Sequence, residues 1–195
     1  SKFIHHLTKD QFDYFLPFFV SIINHPHHKP IQNLLDLFYG FKDEAKCEIM
    51  FSNVISELLI AKLQDEDTEP IIRAKIYQYL STLVTFDPSF NTHSIVLLGI
   101  QDIEESCSFQ ERLMILKLFG CTLSSKTNFE DAIQNGMITA LTYFSDLEEE
   151  YAQIIIAILQ QAYILDNDIV LNPLYFDFIK EIEDSQQVTI LPTNE

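Results

Sequence analysis

The stretch Phe129-Glu-Asp-Ala-Ile-Gln-Asn-Gly136-Met-Ile-Thr-Ala-Leu-Thr-Tyr-Phe144 carries the clearest structural signal in the chain. Its first half reads as a short helix that ends at a glycine, and its second as a helix that opens on an apolar residue. Gly136 suits the left-handed turn between them, because it has no Cβ to clash there. A longer helix follows over residues 149–165, where Ile155, Leu159 and Ala162 recur at helical spacing.

Outward from this stretch the pattern repeats. Apolar helices are expected at Asp13–Ile23, Asn53–Leu63, Ser94–Ile103 and Met137–Phe144, with starts 40, 41 and 43 residues apart. Each precedes a longer helix: Pro30–Phe41, Glu69–Phe86, Ser108–Leu123 and Glu149–Leu165. Sustained alternation of apolar and polar residues is scarce, so strands are not needed. The arrangements Thr8-Lys-Asp-Gln11, Ser108-Phe-Gln-Glu111 and Thr127-Asn-Phe-Glu130 have the capping-box form, in which side chains satisfy the free amides of a helix start. Asn172-Pro173 marks another start, since proline lacks an N–H that has no partner in the first turn anyway.

A period near forty, with short, medium and long helices per unit, resembles armadillo and HEAT repeats. The resemblance covers roughly Asp10 to Leu165. It implies an all-α fold: a right-handed α-solenoid of about four armadillo/HEAT-like repeats, closed by a C-terminal capping helix over Pro173–Asp184. In that cap Ile179 and Ile182 are expected to point inward and Glu181, Glu183 and Asp184 outward. A single repeat domain is expected over 1–187 and a flexible tail over 188–195. A start at Ser1 without methionine leads us to expect a piece of a longer protein.

Such arrays bind with their third helices, so the resemblance implies a protein-interaction scaffold or adaptor that takes a peptide or folded partner along a helical groove. Its expected contacts are Arg73, Tyr77, Gln78, Arg112, Lys117, Gln160 and Gln161. Importin-type armadillo proteins hold peptides with a Trp/Asn ladder, but this chain has no Trp, and Thr82, Cys121 and Gln161 stand where the asparagines would fall. A second expected surface is an acidic edge of Asp65, Glu66, Asp67, Glu104, Glu105, Glu148 and Glu149, with Glu69, Asp102, Asp146 and Glu150 beside them. This edge would dock a basic segment. The same carboxylates, near helix starts, also suit the positive end of the helix dipole without any partner. The aromatic group Phe12, Tyr14, Phe15, Phe18, Phe19, Phe38, Tyr39 and Phe41 is expected mainly as core. Any part left uncovered would pair with a partner or with another copy, giving a homo-oligomer through the N-terminal unit.

Twelve Lys and Arg against 29 Asp and Glu give a net charge of −17, which repels nucleic acid and anionic membranes. The longest strongly apolar run, Phe15–Ile23, is too short for a bilayer and is broken by Pro17, so no membrane insertion is expected. Cys47, Cys107 and Cys121 are odd in number and widely spaced, and no Asn-x-Ser/Thr triplet occurs. Reduced thiols and a cytoplasmic or nuclear location follow. His25-Pro-His27-His28, with His5 and His6, lacks a carboxylate or cysteine at ligand spacing, so neither a metal nor another cofactor is expected. No phosphate loop, nucleophile elbow or His-Glu-x-x-His helix is present, and catalysis is not expected. Two other readings stay open. One is a regulatory armadillo region of a larger protein, small-GTPase-binding or autoinhibitory as in diaphanous-type formins. The other is an enzyme or enzyme subunit whose site is assembled from residues distant in sequence.

Overall fold

The computed structural model describes residues 9–39, 53–105, 108–144 and 149–191. These residues form ten α-helices, one 3-10 helix and no strand. In chain order the helices are α1 (Lys9–Ile23), α2 (His28–Tyr39), α3 (Asn53–Leu63), α4 (Pro70–Phe86), α5 (His93–Glu104), α6 (Phe109–Thr122), α7 (Lys126–Gln134), α8 (Met137–Thr142), α9 (Glu149–Leu165) and α10 (Pro173–Gln186). The 3-10 segment Asn167–Leu171 joins the last two. The all-α expectation holds, and a helix overlaps each anticipated segment among the described residues, but α2, of 12 residues, is shorter than α1, of 15, and not the longer follower expected.

Helix starts show why these segments begin where they do. Ser108 and Glu111 form the anticipated box: the Ser108 N–H (2.9 Å) and Oγ (2.7 Å) donate to Glu111 Oε2, and Ser108 Oγ accepts from the Glu111 N–H at 3.4 Å. Asn172 accepts from the Leu174 N–H at 3.1 Å ahead of Pro173. Gly136 has φ +96°, in the left-handed region where a side chain would be strained. The box expected at Thr127-x-x-Glu130 is not used. Ser125 caps α7 instead, accepting from Asn128 N–H, and Thr127 lies inside the helix. Thr8 lies outside the described residues.

The chain divides into two compact units, Ser1–Asp87 with Ser108–Met114, and Pro88–Cys107 with Ile115–Glu195. In the first, α1 packs on α2 and α3, and α4 packs on α2 and α3. The core there includes Phe19, Ile31, Phe38, Leu59, Ile76 and Leu80. In the second unit α8 packs on α5 and α7, and α10 packs on α8 and α9. Gly99 permits a close approach in this unit, since a Cβ there would lie 3.0 Å from Ile115 Cγ2. Buried Tyr175 donates its phenol proton to the Leu159 carbonyl at 2.7 Å, and burial raises its pKa, keeping it in the donating form.

The polar ties that reach far along the chain share one interval. Arg73–Glu111 spans 38 residues, Lys75–Asp36 39, and His93–Asp131 38. Asn128 donates to the carbonyls of Pro88 and Phe90, 40 and 38 residues away, and Asn135 reaches His93 at 42. Each lies within one of the two compact units.

At the C-terminal end Glu183 does not point freely outward. Its Oε1 accepts from the N–H groups of Ile190 (2.8 Å) and Leu191 (3.1 Å), and its Oε2 accepts from Lys180 at 2.9 Å. Ile190 is buried, so 188–191, expected as the start of a tail, lies against α10.

Glu111 is 3% exposed and is engaged on both carboxylate oxygens, Oε1 by Arg73 at 3.0 Å and Oε2 by Ser108. Replacing Arg73 with Met strands that carboxylate and is expected to cost ~3 kcal/mol, whereas Ser108→Ala, a cap loss, should cost about 1 kcal/mol. Urea unfolding measures both; equal losses would show that the ion pair carries no special weight. For Glu183, burial raises the carboxyl pKa, but Lys180 and the two amides outweigh it and leave it below the ordinary value. The clamp is therefore complete above the unfolded carboxyl pKa of about 4.3 and is lost as pH falls through the lower folded value. Amide NMR shifts of Ile190 and Leu191 followed against pH should report this release, and Glu183→Gln should weaken the clamp already at neutral pH.

Candidate partner-binding groove

The outer face of α4 is set by helical period: Ile71, Lys75, Gln78 and Thr82 recur every three or four residues and are exposed or half-buried. The first turns of α6 run beside it. Arg73, on the flank of α4, fixes this pairing through Glu111 and also donates to the Leu63 carbonyl on α3. Between the two helices lies a groove of about 560 Å³, lined by Pro70, Ile71, Ala74, Lys75, Gln78, Ser108, Gln110 and Met114.

Its chemistry is mixed in an ordered way. Ala74 and Met114 are buried and form an apolar floor, while Ile71 is 49% exposed at the side. Gln78 and Gln110 both offer an amide that donates and accepts, which suits a peptide backbone or a polar side chain. Among the described lining residues Lys75 alone is charged, and it is paired with Asp36 of α2. No described carboxylate lines the groove, although the chain carries 29 acids to 12 bases. The described lining is thus apolar at the floor and polar at the rim.

Of the expected groove residues only Gln78 lines this site. Tyr77 was expected on the exposed face but is 0% exposed: it lies on the inward side of α4 with Leu80 and Val84. Arg73 is largely buried and neutralised by Glu111 rather than presented to a partner. Arg112 is half-buried, and its Nε finds no hydrogen-bond partner among the described residues. Lys117, Gln160 and Gln161 are exposed but belong to the second unit, outside this groove. Ile71, Gln110 and Met114 went unrecognised in the sequence, where an apolar residue on an outer face looks the same as one in the core.

The acidic residues divide similarly. Glu66, Asp67, Glu104 and Glu105 are exposed, whereas Asp65 is half-buried and Asp102 buried. Asp65 accepts from Lys62 Nζ (2.8 Å) and from the Asp67 N–H (3.2 Å), and these bonds hold its carboxyl below the usual range. Glu105 accepts from Gln101 at 2.8 Å. Asp146, Glu148 and the Glu149 side chain lie outside the described residues, as do Cys47 and Cys107; Cys121 is half-buried and in no disulfide. His28 pairs with Glu69 at 2.8 Å, and among the described residues no group of three or more His, Cys, Asp or Glu is arranged to hold a metal ion. No helix of the described residues is long and apolar enough to cross a membrane.

A second cleft, of about 860 Å³, lies in the other unit between the 88–93 segment and the start of α7, lined by Pro88, Asn91, His93, Ser125, Asn128 and Asp131 among others. There His93 Nδ1 lies 3.0 and 3.1 Å from the two Asp131 oxygens, and Asn128 holds the loop carbonyls. These bonds tie the loop to α7. Comparison of the chain with family models, curated proteins and solved structures returned no match, so its own geometry carries the functional reading.

Proposed function

We propose that this chain is a protein-interaction domain, a right-handed α-solenoid of about four armadillo/HEAT-like repeats with α10 as its cap, acting as a scaffold or adaptor. Polar ties at intervals of 38 to 42 residues support the repeat reading, because stacked repeats contact only their neighbours. The observation that carries the binding role is the apolar-floored groove between α4 and α6, in which no described lining residue is a carboxylate. It favours a partner that inserts apolar side chains, as an amphipathic helix or short peptide does, over a purely basic tail.

Ile71 is the expected anchor contact, being both apolar and accessible among the lining residues. In affinity capture from cell extract, Ile71→Asp combined with Gln110→Lys should lose the partner retained by the unaltered chain. A control change at exposed Leu97 on α5, Leu97→Asp, should keep it. With the partner purified, the groove variant is expected to bind about 2 kcal/mol more weakly, roughly thirtyfold. Retention of the partner by the groove variant would remove this site from the reading, and loss in both variants would point to misfolding.

A further inference from the structure

Helix α1 buries little of itself. Among its described side chains only Phe19 and Ile23 are buried, whereas Tyr14 is 80% exposed and Phe18 60% exposed. Asp10, Tyr14, Pro17, Phe18 and Ser21 follow one another at helical spacing, so they share one outer face, and all are exposed. Exposed Asp13 lies beside them.

The two rings are braced from beneath. Tyr14 meets Phe15 edge-on at 5.5 Å between centroids, and Phe18 packs against Phe19 at 6.3 Å. Phe19 contacts Phe38 at 5.6 Å, and Phe38 contacts Tyr79 at 5.8 Å, so the aromatic series runs into the core of the first unit. Rings held this way lose little freedom on docking, which favours binding.

Charge decides what they would bind. Asp10 and Asp13 are the only charged residues among the described side chains of α1, and neither is paired with a described cation. An aromatic face attracts cations through its π electrons, and flanking carboxylates add to that attraction. A second copy of this chain would bring the same two carboxylates and a net charge of −17, which opposes self-association. We propose that the outer face of α1 docks a basic amphipathic helix of a partner protein. Apolar side chains of that helix pack on Tyr14 and Phe18, and its Lys or Arg residues lie over the rings and beside Asp10 and Asp13. This surface is separate from the groove between α4 and α6, so either can fail alone.

The test uses the full chain and two labelled synthetic helices, one with Leu on one face and Lys on the other, and one with Glu in place of Lys. Fluorescence anisotropy should show saturable binding of the Lys helix at least about tenfold tighter than the Glu helix, weakening as salt rises. Tyr14→Ala with Phe18→Ala, and separately Asp10→Asn with Asp13→Asn, should each weaken binding by about tenfold or more. Circular dichroism and thermal melts should match the unaltered chain, since all four side chains are exposed; Ile71→Asp should leave this binding unchanged. Equal affinity for the two helices, or binding indifferent to both double variants, overturns the proposal. So does a dimer in sedimentation equilibrium that Tyr14→Ala with Phe18→Ala dissociates, which would assign the face to a second copy.

Discussion

The buried carboxylate of Glu111 joins local and distant structure. One oxygen completes the helix cap with Ser108, and the other receives Arg73 from 38 residues earlier. A charge buried at this depth is tolerable only when its hydrogen-bonding capacity is met, so the start of α6 and its approach to α4 are set together. The groove depends on that registration: Ser108, Gln110 and Met114 come from α6, and Pro70, Ile71, Ala74, Lys75 and Gln78 from α4. Arg73 thus acts on position: a cation expected among the partner contacts instead fixes the register of α4 and α6.

The same logic recurs through the chain. Lys75 is held by Asp36, His93 by Asp131, and Asn128 satisfies the carbonyls of Pro88 and Phe90. These ties join residues about forty positions apart with directional bonds, while the apolar face of each helix supplies the undirected part of the stability. The groove and the outer face of α1 share no lining residue: no described carboxylate lines the first, and Asp10 and Asp13 border the second.

Much of the frame was legible because it rests on short-range rules. The three- and four-residue apolar spacing located the helices, Ser108-x-x-Glu111 and Asn172-Pro173 located two of their starts, and Gly136 located a left-handed turn. Rules of this kind require only neighbours in sequence. They also explain the miss at α7: Ser125 and Thr127 both carry a hydroxyl with a polar residue three positions on, and the backbone chose the earlier. Glu183 shows another limit, since its place on the outer side of α10 concealed the chain end folding back onto it.

The site was far less legible, and the reason lies in how an acidic chain spends its few cations. With 12 basic side chains in the chain, Arg73 and Lys75 of α4 are drawn into ion pairs with Glu111 and Asp36, so a lysine or arginine on a long helix is a poor guide to a binding face. Exposed apolar residues are the better guide, but sequence does not separate them from core. Ile71 and Ile72 are adjacent and chemically identical, yet one is half exposed and the other 1% exposed. Tyr14 and Tyr77 differ in the same way, one projecting from α1 and the other sealed inside α4. What distinguishes each pair is which side of the helix meets its packing neighbours, a property of contacts distant in sequence rather than of the residues themselves. An uncovered apolar side chain is therefore told from a core one only by how the helices pack.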